Sequence, residues 1–250
     1  MLHLLEKKLI FKPTRDDHGG LANVRHERVS FGEEFGLFLD GIFIKHPSDT
    51  VVLFTHGNKH NITQFRDHYD LFNSLGVSFF TFDYPGYGRS AGSPSEEGAY
   101  ASARAAYSHL QHRLGYQPSH IVAYGCSMGG GVAIDLAQHS PVAGVITEGT
   151  FTNSWEMAKH LYPYLPIWPL LPKRFNNLEK ISRIKAPKLL IHGESDRTVP
   201  VSMASALYHA AAAPTELVLI PGGGHIDCLT VGGEPLKGKI RSFLEMVSAP

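Results

Sequence analysis

Short apolar runs alternate with longer amphipathic stretches along most of the chain. Runs at Leu37–Ile44, Val51–Thr55, Val77–Phe82, His120–Tyr124, Val142–Thr147, Lys188–His192 and Glu216–Ile220 read as strands. Several are apolar at consecutive positions, so both of their faces must be covered, as in a buried and mostly parallel sheet. Between them, the pattern predicts helices over Ile62–Leu75, Glu96–Leu114, Met128–His139, Met203–Ala212 and Pro235–Val247. That alternation is the mark of a doubly wound α/β arrangement. The residues up to about His46 depart from it and predict antiparallel strands at one edge. The chain contains neither repeats nor low-complexity segments.

One stretch interrupts the rhythm. Phe151–Lys185 has no predicted strand and carries Trp155, Tyr162, Tyr164, Trp168 and Phe175 among Pro163, Pro166, Pro169 and Pro172. An insertion of this length in a compact domain is usually a lid or binding loop. The competing reading is a satellite hydrophobic cluster packed on the domain, because aromatic side chains fill cores before they line sites. Read as a cap on a single domain spanning 1–250, the segment 151–185 offers Trp155, Tyr162 and Trp168 as substrate-binding residues, with walls suited to an acyl or aryl group.

Composition narrows the function classes. A chain of 250 residues can bury a sizeable core, and its 23 basic and 23 acidic residues balance. There is no run of Lys or Arg, so neither nucleic acid nor an acidic membrane surface is an expected partner. The two cysteines, Cys126 and Cys228, form no CxxC and allow no disulfide framework, which favours a reduced, cytoplasmic setting. Met1–Phe11 is apolar but interrupted by His3, Glu6, Lys7 and Lys8. It is too short and too charged for a membrane span or a secretory signal, which leaves an edge strand or a peripheral membrane contact.

The chemistry begins at Gly125-Cys126-Ser127-Met128-Gly129. This GxSxG pentapeptide follows the apolar run Ile121–Tyr124 and opens the small-residue stretch Gly130–Ala137. Strand, sharp turn and helix in that order make a nucleophile elbow: the turn strains the serine's backbone, and glycines on either side remove side chains that would collide. A chance turn would show the same five letters without those flanks. A serine hydroxyl needs a base to take its proton and a carboxylate to hold that base, and after an elbow serine these follow in the order acid, then histidine.

His225, in Pro221-Gly222-Gly223-Gly224-His225, follows the last predicted strand, and Asp196, in His192-Gly193-Glu194-Ser195-Asp196, follows the one before. Both stand at carboxyl ends of strands, where open α/β sheets form their sites. Most of the 15 histidines are structural by expectation, with His192 at a strand end and His56 in another loop. For the acid, Glu194 and Glu148 compete with Asp196, while Asp227 lies too close behind His225 in sequence. The oxyanion needs donors: the backbone N–H of Met128 at the start of the following helix, and that of Asn58 in His56-Gly57-Asn58 after the strand Val51–Thr55.

Taken together, VVLFTHGN at Val51–Asn58, FDYPGYGRS at Phe82–Ser90, GCSMGG at Gly125–Gly130, IHGESDRTVP at Ile191–Pro200 and GGGH at Gly222–His225 resemble the successive signatures of the α/β-hydrolase superfamily. The HGN tripeptide, the DYPGYGRS loop and EKKLIF at Glu6–Phe11 are similar to the branch containing protein depalmitoylases, lysophospholipase-like and monoacylglycerol-lipase-like serine hydrolases. The resemblance implies the α/β-hydrolase fold: a mostly parallel central sheet of about eight strands flanked by helices, with a short cap inserted after the sixth strand. It implies Ser127 as nucleophile, Asp196 as acid, His225 as base, and Asn58 and Met128 as oxyanion donors. Two features depart from that branch. Many of its members carry an N-terminal membrane anchor, which Met1–Phe11 does not resemble, and Glu148-Gly149-Thr150-Phe151 follows the strand Val142–Thr147 where relatives often begin differently.

Superfamily members with a carboxylate or thiolate nucleophile are set apart by the serine at the elbow. Cys126, one residue earlier, points into the sheet and reads as buried packing. No HExxH or Cys/His cluster calls for a metal, and Gly125–Gly131 lacks the ending of a phosphate loop, so no cofactor and no metal are expected. Tyr84–Arg89 forms a loop after the fourth strand, either shaping the entrance or holding the turn. The expected function is hydrolysis of carboxylic esters or thioesters. The expected partner is a small-molecule or lipid-like acyl ester, with no nucleic acid, no stable membrane insertion, and a monomeric or weakly dimeric chain. The alternatives are an aminopeptidase-like amide hydrolase, whose amine anchor would be Glu148 or Glu156, and a catalytically silent binding module.

Overall fold

The computed structural model describes residues 10–164 and 172–248. Eight strands form its main sheet: β1 (Glu27–Phe31), β2 (Leu39–Ile44), β3 (Val51–Thr55), β4 (Ser78–Phe82), β5 (Ile121–Cys126), β6 (Gly144–Glu148), β7 (Lys188–Gly193) and β8 (Thr215–Ile220). They lie in the order β8-β7-β6-β5-β3-β4-β2-β1. The pairings from β8 through β4 are parallel, while β2 runs antiparallel to both β4 and β1. The expected antiparallel edge is therefore β1 and β2.

The sheet is covered on both faces, which explains its consecutive apolar residues. In β3, Val51 and Leu53 belong to one buried cluster and Val52 and Phe54 to the other, as a two-residue side-chain period requires. The first cluster packs under α2 (Glu96–His112), α3 (Met128–His139) and α6 (Val201–Ala210). The second packs under α1 (Arg66–Leu75) and α7 (Cys228–Ser248). Among the described residues no helix is long and apolar enough to cross a membrane.

Three predicted boundaries move for identifiable reasons. The helix expected over Ile62–Leu75 divides into a 3-10 turn, Ile62–Gln64, and α1, because the Asn61 side chain accepts the N–H of Thr63 and starts a separate turn. The helix expected from Pro235 starts at Cys228 and breaks at Gly233 (φ 51°), where glycine tolerates a left-handed backbone and Pro235 cannot donate. The strand expected over His120–Tyr124 runs instead from Ile121 to Cys126, carrying the chain to the elbow.

The segment after β6 contains α4 (Ser154–Leu161) and α5 (Asn177–Ile181). Its aromatics divide between core and surface. Phe151 and Phe175 are buried together with Tyr100, Trp155 on α4 is half-buried, and Tyr162 and Tyr164 are exposed. Trp168 lies outside the described residues, as does nearly all of Met1–Phe11. Of that stretch Ile10 and Phe11 are described, with the Phe11 ring 6.3 Å from Phe175. Lys12 and Pro13 then pair in parallel with Lys59 and His60.

Candidate active site

The elbow forms where β5 turns into α3. Ser127 adopts φ 55°, ψ −116°, a strained conformation for a side-chain-bearing residue. The turn is tight enough to need glycine at two places. A Cβ at Gly125 would lie 2.1 Å from the Gly129 carbonyl oxygen, and one at Gly129 would lie 1.9 Å from that of Thr55. The strain is fixed from both sides, since Ser127 N–H donates to Glu148 O (2.7 Å) and the Thr55 hydroxyl donates to Gly129 O (2.8 Å).

Three side chains from different strand ends meet here. Ser127 Oγ lies 3.0 Å from His225 Nε2, and His225 Nδ1 lies 2.7 Å from Asp196 Oδ2. The loop bearing His225 crosses the end of β7, where a Cβ at Gly193 would lie 2.3 Å from the carbonyl oxygens of Gly223 and Gly224. Ser195 N–H donates to Gly223 O (2.8 Å), tying the acid and histidine loops together. Burial pushes the Asp196 carboxyl up. The His225 hydrogen bond and the N–H groups of Val199 and Thr198 on Oδ1 outweigh it and hold the carboxyl below its ordinary value.

The competing acids are placed elsewhere. Glu194 is exposed, and Asp227 caps the N–H of Gly224 (2.6 Å). Glu148 is buried below the elbow, where its Oε2 accepts from His68 Nε2 (2.9 Å) and the Tyr124 hydroxyl (2.8 Å). His192 donates from Nε2 to Val199 O (2.8 Å), and burial lowers its basicity.

The loop after β3 borders the serine: a Cβ at Gly57 would lie 3.6 Å from that of Ser127. The peptide between Gly57 and Asn58 is oriented by His56, whose Nδ1–H donates to Gly57 O (2.8 Å). In a trans peptide the Asn58 N–H then points away from the His56 ring. Burial holds His56 neutral, pushed down to about 3, and its ring lies 4.2 Å from that of Tyr84. Two tyrosines of the DYPGYGRS loop fasten the flanking carbonyls, Tyr84 on His56 O and Tyr87 on Asn58 O, each at 2.8 Å. The motif was visible in the sequence, but these bonds were not.

Met128 is buried at the first position of α3, next to Ser127. Trp155 and Tyr162 stand on α4 and at its end, with the Lys173 ammonium 5.8 Å from the Trp155 ring centroid. The same helix reaches the acid loop through His160 Nε2, 3.3 Å from Arg197 O. Cys126 is buried with its thiol pushed far up by burial. Among the described residues no group of three or more His, Cys, Asp or Glu side chains is arranged to hold a metal. A cleft of about 540 Å³ lies away from these residues, against Val218, Leu219, Val231, Pro235 and Leu236 at the β8 edge.

Comparison with known proteins places the chain in a family and among similar folds. Residues 46–178 match the family model described as Serine aminopeptidase, S33. An uncharacterized protein of Mycobacterium tuberculosis is 36% identical over 212 residues, covering 84% of this chain and 75% of that protein. Alpha/beta hydrolase domain-containing protein 17B of Homo sapiens is 34% identical over 181 residues, covering 70% of this chain and 60% of that protein. In three dimensions the chain is similar to the Pyrococcus furiosus esterase Pf2001, with a TM-score of 0.79 at 21% identity over 95% of this chain and 97% of that one.

Proposed function

We propose that this chain, which belongs to the α/β-hydrolase superfamily and to its family described as Serine aminopeptidase, S33, is a serine hydrolase of carboxylic esters or thioesters. The observation that carries this reading is the continuous hydrogen-bonded line Ser127 Oγ, His225, Asp196 (3.0 and 2.7 Å) ending on a strained elbow. Ser127 Oγ attacks the acyl carbonyl while His225 Nε2 takes its proton. Asp196 holds Nδ1–H and so keeps Nε2 facing the serine. The N–H groups of Met128 and Asn58 receive the oxyanion, His225 returns the proton to the departing alcohol or thiol, and water attacks the acyl-enzyme by the same relay. Trp155 on the cap helix and Tyr162 at its end bind the acyl portion, and no cofactor takes part.

Amide cleavage from a peptide N-terminus needs an anionic anchor for the substrate's amine. Glu148 is buried and held by His68 and Tyr124, while Glu156 is ion-paired to Lys159 at 2.7 Å. Both are engaged, which favours the ester reading. A silent binding module would not need the aligned base and acid.

Hydrolysis of p-nitrophenyl esters from acetyl to palmitoyl, compared with an aminoacyl anilide and with Ser127→Ala, tests the reading. Ester turnover that Ser127→Ala abolishes is the expected result. Full activity in that variant overturns it, and preferential anilide turnover replaces it with the peptidase reading.

A further inference from the structure

The loop that borders Ser127 is paired with a segment remote from it in sequence. The chain around Phe11 grips Asn58 twice: Asn58 Nδ2 donates to Ile10 O (2.7 Å), and Lys12 N–H donates to Asn58 O (2.9 Å). The two partners belong to the peptides on either side of Phe11, so Phe11 and Asn58 close a two-bond pair. Lys12 and Pro13 continue it beside Lys59 and His60, and Thr14 O accepts from Gly88 N–H (2.9 Å) in the loop after β4. Side chain and carbonyl are two of the substituents on the tetrahedral Cα of Asn58. With both held, the bond from Cα to the backbone nitrogen has its direction set as well.

Phe11 anchors this pair on a rigid platform. Its buried ring lies 6.3 Å from that of Phe175, which stands 6.0 Å from Phe151 and 5.7 Å from Tyr100. Phe151 and Phe175 lie before and after α4, on the two limbs of the segment that follows β6. Phe175 is fully buried and left-handed (φ 47°), and its N–H donates to Glu96 Oε1 on α2 at 2.6 Å. A residue with a side chain keeps such a backbone only where its surroundings impose it.

We infer that Phe11 is a positioning residue of the proposed active site: through the Ile10 carbonyl and the Lys12 N–H it holds Asn58 so that the backbone N–H of Asn58 meets the oxyanion. The inference rests on the serine-hydrolase reading, and it gives the chain ahead of β1 a part in transition-state stabilisation. The substrate's carbonyl oxygen gains its charge only as the tetrahedral intermediate forms. Loosening Phe11 therefore lowers kcat and leaves KM nearly as it was. Because the effect passes through Asn58, it has nothing left to act on once the Asn58 side chain is removed.

The test is steady-state hydrolysis of a p-nitrophenyl ester by Phe11→Ala, Asn58→Ala and the double variant, with urea unfolding to verify that each is folded under assay conditions. Asn58→Ala keeps the backbone N–H and removes the bond to Ile10 O. Each single variant is expected to lose about 10-fold in kcat, less than the roughly 100-fold or more of a deleted oxyanion donor, with KM changed by less than about 2-fold. The double variant is expected to lose about 10-fold as well, where independent effects would multiply to about 100-fold. An unchanged kcat in either single variant, a loss carried by KM, or losses that multiply overturns the inference and leaves Phe11 a packing residue. Ester turnover by the native protein that Ser127→Ala abolishes shows that such a failure belongs to Phe11. Its absence overturns the serine-hydrolase reading and the inference with it. If Phe11→Ala does not fold, Phe11→Leu decides: a lowered kcat at unchanged KM supports the inference, and an unchanged kcat overturns it.

Discussion

The hydroxyl of Tyr87 donates to the carbonyl oxygen of Asn58 across 2.8 Å, joining the loop after β4 to the loop that borders Ser127. The same carbonyl accepts from Lys12 N–H at 2.9 Å, so the peptide plane after Asn58 is held from two sides. On the proposed mechanism, removing the Tyr87 hydroxyl loosens the Asn58 N–H that receives the oxyanion. A net hydrogen-bond contribution of about 1 kcal/mol predicts a fall in kcat of about 5-fold for Tyr87→Phe at nearly unchanged KM. Steady-state kinetics checks this against Tyr107→Phe, whose hydroxyl bonds Pro141 O far from the elbow and whose loss is expected to leave kcat unchanged.

Adjacent glycines of the elbow differ in what surrounds them. A Cβ at Gly129 meets backbone, 1.9 Å from Thr55 O, whereas one at Gly130 meets the Thr150 hydroxyl at 1.8 Å. Backbone of a central strand cannot yield as a side chain can. Gly129→Ala is expected to lose more than about 3 kcal/mol of stability, and Gly130→Ala less. Adding Thr150→Ala to Gly130→Ala recovers part of the loss, as urea unfolding of the three proteins will measure.

Cys126 precedes the proposed nucleophile yet is 4% exposed, and burial, with Glu148 adding, pushes its thiol well above the ordinary value. A thiol so protonated and enclosed is a poor nucleophile. Iodoacetamide at pH 8 is therefore expected to leave ester hydrolysis intact. Inactivation in step with alkylation of Cys126, followed by mass spectrometry, would contradict this reading.

Lys188, at the start of β7, is 1% exposed and donates to the carbonyl oxygens of Ile184 and Ala186. Burial lowers its ammonium from 10.5 to about 8. Between those values the unfolded chain binds more protons than the folded one, so the contribution of Lys188 to stability rises with pH through the window. Unfolding free energies of the native protein and Lys188→Met are expected to differ by a pH-dependent amount that climbs from pH 8 to 10, by on the order of 2 kcal/mol.

How much of this was legible follows the range of the signal. The strands Val51–Thr55 and Lys188–Gly193 and the helix Met128–His139 announce themselves locally, through apolar runs of the right length and a glycine-rich helix start. The separation at Gln64 and the break at Gly233 depend on one capping side chain and one left-handed residue, which periodicity averages away. Asp196 and His225 were readable because strand ends in this topology converge, and Gly193 and Gly223–Gly224 allow two loops to cross there. His68 carried no such signal. It lies on α1, 80 residues before its partner Glu148, and nothing along the chain separates it from a histidine packed against the sheet.

By itself, the sequence determined the alternation of strand and helix, the strained serine turn, and the order in which acid and histidine follow it. These are encoded in side-chain period and glycine placement over a few residues. The tertiary structure alone decided which acid meets His225 and which becomes a buried anion under the elbow. It also decided that two tyrosines of one loop would hold the carbonyls of another. Each of those outcomes depends on distances between segments remote in sequence and on which polar groups lose water, and no local pattern carries either quantity.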